Sequence, residues 1–60
     1  MYDFRLQFIN KDGHQSFITI QADNIQQLEI LCRQIFGGMH ELMMLRAYDI
    51  FDNVVFKFSR

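Results

Sequence analysis

The sequence has few of the features with which small proteins reinforce a limited core. Cys32 is the single cysteine, and there is no proline or tryptophan. A disulfide framework is therefore excluded, and a zinc site is disfavoured because His14 and His40 lie far from Cys32 in the sequence. No apolar run approaches the roughly 20 residues of a membrane-spanning helix. Met1 leads directly into an alternating pattern rather than a signal peptide, so we expect a cytoplasmic protein with a reduced thiol.

The sequence also lacks an excess of charge of either sign. Six Lys or Arg against seven Asp or Glu give a formal net charge of -1, which provides no general attraction to nucleic acid or membranes. Apolar side chains, in contrast, are abundant: half of the 60 residues are hydrophobic, with seven Phe and two Tyr. We expect one domain, residues 1–60, that buries only about 60% of its unfolded surface. Oligomerisation or a partner should supplement so small a core.

The first half of the chain predicts a β-hairpin. Residues 2–9 alternate between apolar and polar, which is typical of a half-buried strand. Residues 10–13 form a turn, and a second strand follows from about His14 to Ala22. A three-residue loop with Gly13 in a left-handed conformation pairs Leu6 with Ile18 and keeps one face apolar, whereas a two-residue turn does not. We therefore predict a type I turn with a bulge at Gly13.

A helix should follow this hairpin. Asp23 can accept a hydrogen bond from the amide of Gln26, as in a capping box, and the helix should run to about Phe36 and stop at Gly37–Gly38. Ile30 should be a single exposed apolar residue on this helix. One stripe at 3.6 residues per turn should pack on the sheet: Ile25, Leu28, Leu31, Cys32, Ile35 and Phe36.

Residues 41–49 are the ambiguous segment. Their composition favours a helix, but the segment is short, follows two glycines and precedes a loop (Ile50–Asn53) and a clear strand over 54–59. We predict a strand, with a helix as the alternative, and expect Asn53 to adopt the left-handed conformation of the loop. The predicted fold is α+β: a four-stranded antiparallel sheet with one helix on one face (ββαββ). The hairpins can join through strands one and three or through strands two and four.

The orientation of the third strand determines the predicted interface. We place Met43, Leu45 and Ala47 toward the helix, because the opposite choice buries Arg46 without a partner. The sheet face opposite the helix, called here the outer face, then carries more apolar side chains than a solvated sheet face normally does, which indicates an interaction surface. The predicted protein interface comprises Ile9, Phe17, Leu42, Met44, Arg46, Tyr48 and Val55.

No catalytic residue, metal site or cofactor is predicted. Cys32 lies on the apolar stripe of the helix and is interpreted as a core residue, and the two histidines as solvated loop residues. Asp12, Asp49 and Asp52 flank turns, where Asp is favoured by hydrogen bonds to its own backbone.

Two features leave the kind of partner open. Three of the four methionines lie within six positions, 39–44, and flexible thioethers suit both adaptable binding surfaces and core filling. Arg5, Arg46 and Lys57, together with Phe17 and Tyr48, form an alternative nucleic-acid platform of cations and aromatic rings.

The passage from Phe17 to Glu29 runs from a strand through Ala-Asp-Asn into an amphipathic helix. It resembles many very short proteins encoded by bacteriophages and other mobile elements, and is similar in layout to phage inhibitors of host RNA polymerase. The resemblance implies a protein that binds and blocks a host protein, but no contact residues carry over. The expected function is a non-catalytic protein-binding module that homodimerises or docks on a host protein through the outer face; the alternative is a small nucleic-acid-binding regulator.

Overall fold

The computed structural model describes residues 1–60 and contains four strands and one helix. In chain order these are β1 (Tyr2–Asn10), β2 (Gln15–Ala22), α1 (Ile25–Gly38), β3 (Leu42–Tyr48) and β4 (Val54–Ser59). The strands form one antiparallel sheet in the order β2-β1-β3-β4. The α+β prediction is confirmed, residues 42–48 form a strand, and the hairpins join through strands one and three.

The first hairpin has the predicted register. Gly13 has a φ of +92° and its amide donates to the carbonyl of Asn10 at 2.9 Å. Leu6 lies opposite Ile18, and the pairing continues without a shift along all of β2. The left-handed residue of the turn thus sets the register that keeps the apolar side chains of β1 and β2 on one face.

The helix begins one residue later than predicted. Asn24, rather than Asp23, is the N-cap, and its side chain accepts from the amide of Gln27 at 2.8 Å. The Gln27 side chain in turn accepts from the amide of Asp23, so the pair works as a capping box shifted by one position. Both glycines at its end are helical, so the helix runs two residues beyond its predicted end at Phe36. This helix is not long and apolar enough to cross a membrane.

The C-terminal end of α1 is held by Arg60. Its guanidinium donates to the carbonyl oxygens of Met39 at 3.0 Å, His40 at 3.2 Å and Leu42 at 2.7 Å, and also to that of Phe36. Carbonyls at a helix end have no partner within the helix. Arg60 therefore binds the end of α1 and the segment that leads into β3.

The core lies between α1 and one face of the sheet. Its buried apolar residues are Phe4, Leu6, Phe8, Ala22, Leu28, Cys32, Leu42, Leu45 and Ala47. From the predicted helix stripe, Leu28 and Cys32 are fully buried, but Ile25 is exposed. Ile30 is exposed as predicted.

A bulge in β3 corrects the predicted facing of that strand. Ile9 pairs with Met44 and Asn10 with Leu42, which leaves Met43 without a partner on β1. One extra residue reverses the alternation of side chains. Leu42, predicted to point outward, is consequently fully buried, while Met43, predicted to face the helix, is exposed.

A second irregularity lies in β4. Ala47 pairs with Phe56 and Tyr48 with Val54, so that Val55 is the extra residue. Val55, predicted to lie on the outer face, is half-buried and packs against the core. Val54, opposite Tyr48, is exposed instead. Leu42 and Val55 are therefore removed from the predicted outer-face patch.

Candidate protein-binding surface

Three rows of side chains cross the outer face from β2 to β4, as the strand register shows. The first row is Thr19, Arg5, Tyr48 and Val54; the second is Phe17, Gln7, Arg46 and Lys57; the third is Gln15, Ile9, Met44 and Ser59. The predicted interface residues that remain on this face are therefore Ile9, Phe17, Met44, Arg46 and Tyr48. The face has lost Leu42 and Val55 and carries three cations and two amides, which makes it more polar than the sequence predicted.

Arg5 is fixed between two aromatic rings. Its guanidinium carbon lies 5.4 Å from the centre of the Phe17 ring and 5.2 Å from that of Tyr48. The same group forms an ion pair with Asp52 at 2.9 Å. Cation–π contacts at these distances are favourable, so Arg5 orders both rings and connects the outer face to the β3–β4 loop. Its charge is already neutralised within the chain.

Gln7 is buried at the centre of the outer face, with an exposed fraction of 8%. Its side chain donates to Gln15 at 3.1 Å and accepts from the Tyr48 hydroxyl at 2.8 Å. A buried amide requires such partners, and these bonds hold Tyr48 in place across the sheet. Sequence reasoning missed this role, because it depends on β1 lying between β2 and β3.

Arg46 and Lys57 lie directly opposite each other on β3 and β4. Neither belongs to an ion pair, since the three that exist use Arg5, His14 and Arg33. Like charges facing each other across two strands are unfavourable. An anionic group bound above them would offset that repulsion.

The β3–β4 loop is ordered by its own side chains. The Asp49 carboxylate accepts from the amides of Phe51 and Asn53, each at 2.9 Å. The hydrogen bond from the Asn53 amide is the main reason that the pKa of Asp49 is below its usual value. Asp52 has a φ of +63°, so the left-handed residue is Asp52 and the prediction of Asn53 is wrong. This loop presents Ile50 and Phe51 to solvent, with exposed fractions of 71% and 77%.

A cavity of about 440 Å³ opens beside this loop, between the start of β1 and the start of α1. Its apolar lining consists of Tyr2, Phe4, Ile25, Ile50 and Phe51. All except Phe4 are exposed. We call these four exposed residues and the cavity between them the loop patch. The signal in the sequence was the adjacent apolar pair Ile50–Phe51 within a loop otherwise composed of Asp and Asn.

The remaining reactive side chains are separated from these surfaces. Cys32 is fully buried, and burial raises the pKa of its thiol to about 11, which disfavours the nucleophilic thiolate. Asp12 accepts from the backbone amide and the ring of His14, both at 3.0 Å, and the backbone hydrogen bond is the larger cause of its lowered pKa. No three His, Cys, Asp or Glu side chains converge on a position where they could hold a metal ion. No protein-family model, curated protein or solved structure matches the chain.

Proposed function

We propose that the protein is a non-catalytic binding module that docks on another protein through the loop patch and the adjoining outer face. The observation that carries this proposal is the exposure of Ile50 and Phe51 on a loop that Asp49 holds in one conformation. Contiguous exposed apolar surface is typical of interaction sites. Because the loop is already ordered, binding costs little conformational entropy there, and Phe51 is the natural anchor.

The outer face supplies the charged part of the proposed interface. Arg46 and Lys57 have no carboxylate partner within the chain, and an acidic partner surface would complement them and accelerate association. The same cations oppose a homodimer that stacks outer face on outer face, since a two-fold axis there brings the cations of both copies together. The layout shared with short phage-encoded inhibitors makes a host protein the class of partner that we propose.

The test is capture of a partner from a nuclease-treated bacterial lysate, with identification by mass spectrometry. Three forms are immobilised: the unsubstituted protein, Phe51→Asp and Ile30→Asp. Ile30 is a matched control because it is also exposed and apolar but lies on the helix. We expect one protein to bind the unsubstituted form and Ile30→Asp but not Phe51→Asp. Equal capture by all three forms would show that the loop patch is not the interface.

A nucleic-acid-binding regulator is the second candidate. The unpaired cations Arg46 and Lys57 favour it, because they lie in the same row of the outer face as the exposed ring of Phe17. Arg5 should attract phosphates less than expected from the sequence, because Asp52 pairs with it. Two phosphate contacts predict that the affinity for single-stranded nucleic acid falls with salt at a logarithmic slope of about -1.4. Replacing both Arg46 and Lys57 with Ala should abolish that dependence. A partner that is lost after nuclease treatment and unaffected by Phe51→Asp would favour this second function.

A further inference from the structure

The edge strand β2 lacks the features that normally prevent an edge from pairing with another chain. Such features are charged side chains, proline, bulges and short length. β2 contains eight residues, Gln15–Ala22, none of them charged and none proline, and its pairing with β1 has no bulge. The opposite edge, β4, is shorter, carries Lys57 and has its bulge at Val55. Only the β2 edge is therefore open to a further strand.

The backbone groups that would form this pairing follow from the hairpin. The amide of Asn10 donates to the carbonyl of His14 at 2.9 Å. Hydrogen-bonded and non-hydrogen-bonded positions alternate along an antiparallel pair, so even-numbered residues of β2 face β1. The odd-numbered residues direct their amide and carbonyl groups away from the sheet: Gln15, Phe17, Thr19 and Gln21.

We propose that a second copy of the chain adds to this edge, with β2 antiparallel to the partner's β2 across a two-fold axis, to form a continuous eight-stranded sheet. The register that joins all four outward-facing residues places the axis at Ile18. It pairs Phe17 with the partner's Thr19 and forms about eight main-chain hydrogen bonds. The helix of each copy remains on the same side of the joined sheet.

A second copy fits this edge because the strand is complementary to itself. With no charge on β2, antiparallel self-pairing opposes no like charges. On the outer face, Phe17 next to the partner's Thr19 is a favourable aromatic and β-branched pair. On the helix side, Ile18 is 43% exposed and meets its own symmetry copy, which buries it. Arg46 and Lys57 lie on the far strands, away from the axis. This dimer is independent of the proposed function and leaves the loop patch to be tested separately.

Light scattering coupled to size-exclusion chromatography, from micromolar to millimolar concentration, tests the proposal. We expect a dimer for the unsubstituted protein and a folded monomer for Thr19→Pro, because proline is tolerated where the amide faces away from the sheet but removes a donor from the new pairing. Ser59→Pro is the matched control on the β4 edge and should remain dimeric. A monomeric unsubstituted protein, or a Thr19→Pro dimer, would overturn the proposal.

Disulfide trapping provides a second measurement that holds even if Thr19→Pro fails to fold. At the axis, the two copies of residue 18 form a non-hydrogen-bonded pair with Cα atoms about 4.5 Å apart, within the range of a disulfide. Ile18→Cys should therefore cross-link in mild oxidant several-fold more than Ile30→Cys, whose side chain lies on the helix. Cys32 is buried and should not react. Equal cross-linking of the two variants would contradict the proposed register.

Discussion

Arg60 donates hydrogen bonds to several backbone carbonyls at the end of α1 and in the segment that leads into β3. It replaces the glycine-based cap that the sequence predicts at the end of α1, because both glycines are incorporated into the helix. Its guanidinium also lies over the Phe36 ring at 4.2 Å, so the same side chain contributes a cation–π contact. A positive charge at this end also interacts favourably with the helix dipole.

Arg60→Ala should therefore lower the free energy of unfolding by about 1–2 kcal/mol, as expected for hydrogen bonds from a charged but exposed group. Arg33→Ala is the matched control, because Arg33 is also on the surface and also lies over an aromatic ring, that of Phe58 at 5.6 Å. Its remaining contact is an exposed pair with Glu29 at 3.0 Å, which contributes only about 0.3–0.5 kcal/mol. Urea unfolding followed by circular dichroism measures both. Equal losses for the two variants would mean that Arg60 has no special capping role.

The lowered pKa of Asp49 predicts that the stability of the protein depends on pH. Because its folded pKa lies below the unfolded value of about 3.8, its contribution to stability is complete above that value and is lost as pH falls through the folded pKa. Asp49→Asn retains an acceptor oxygen but removes the charge. The difference in urea midpoint between the two proteins should therefore shrink as pH falls below about 3.8. A difference that stays constant with pH would contradict this role. Asp12, whose pKa is also lowered, is present in both proteins and does not affect the difference.

At the scale of the elements, local periodicity predicted three strands and the helix, and Gly13 set the first register. The third strand was predicted only from its short length and its position between two glycines and a loop, with a helix as the alternative. The facing of Leu42 and Val55 was not predictable in this way. Each follows from one extra residue in a strand, which is Met43 in β3 and Val55 in β4. The position of a bulge depends on how two distant strands pair, and the sequence pattern of a single strand does not show it. The start of the helix was predicted one residue early for another reason: Asp23 and Asn24 are both competent caps, and the structure uses Asn24.

The β3 bulge predicts an unequal effect of two neighbouring substitutions. Leu42→Ala removes a fully buried side chain and should cost about 2–5 kcal/mol of unfolding free energy. Met43→Ala removes a side chain that is 40% exposed and should cost about 1 kcal/mol or less. Chemical denaturation of both variants tests the corrected facing. A larger loss of unfolding free energy for Met43→Ala than for Leu42→Ala would contradict the bulge and support the strict alternation predicted from the sequence.

At the scale of the whole molecule, the candidate site combines segments that are distant in sequence. The loop patch unites the beginning of β1, the beginning of α1 and the β3–β4 loop. Sequence reasoning identified the outer-face residues on single strands but could not bring Tyr2 and Ile25 to Phe51, because the strand order was open. The structure therefore moves the proposed apolar contact from the centre of the sheet to its end.

The buried thiol provides a measure of global opening. Cys32 is protonated and inaccessible in the folded protein, so a thiol reagent should label it only when α1 separates from the sheet. The logarithm of the labelling rate should rise in Leu42→Ala in proportion to the lost stability, and the rate should remain nearly unchanged in Phe51→Asp. The labelling rate is measured by mass spectrometry of samples taken at successive times after the reagent is added. Rapid labelling of the unsubstituted protein would show that α1 opens locally.

The strand order also determines when a newly synthesised chain can complete its fold. β1 occupies the centre of the sheet, but its second neighbour, β3, is translated only after β2 and α1. Until Tyr48 has left the ribosome, the inner edge of β1 has no partner strand. Pairing over so long a separation slows folding, and during this interval the nascent hairpin is the part of the protein most exposed to aggregation and to chaperones.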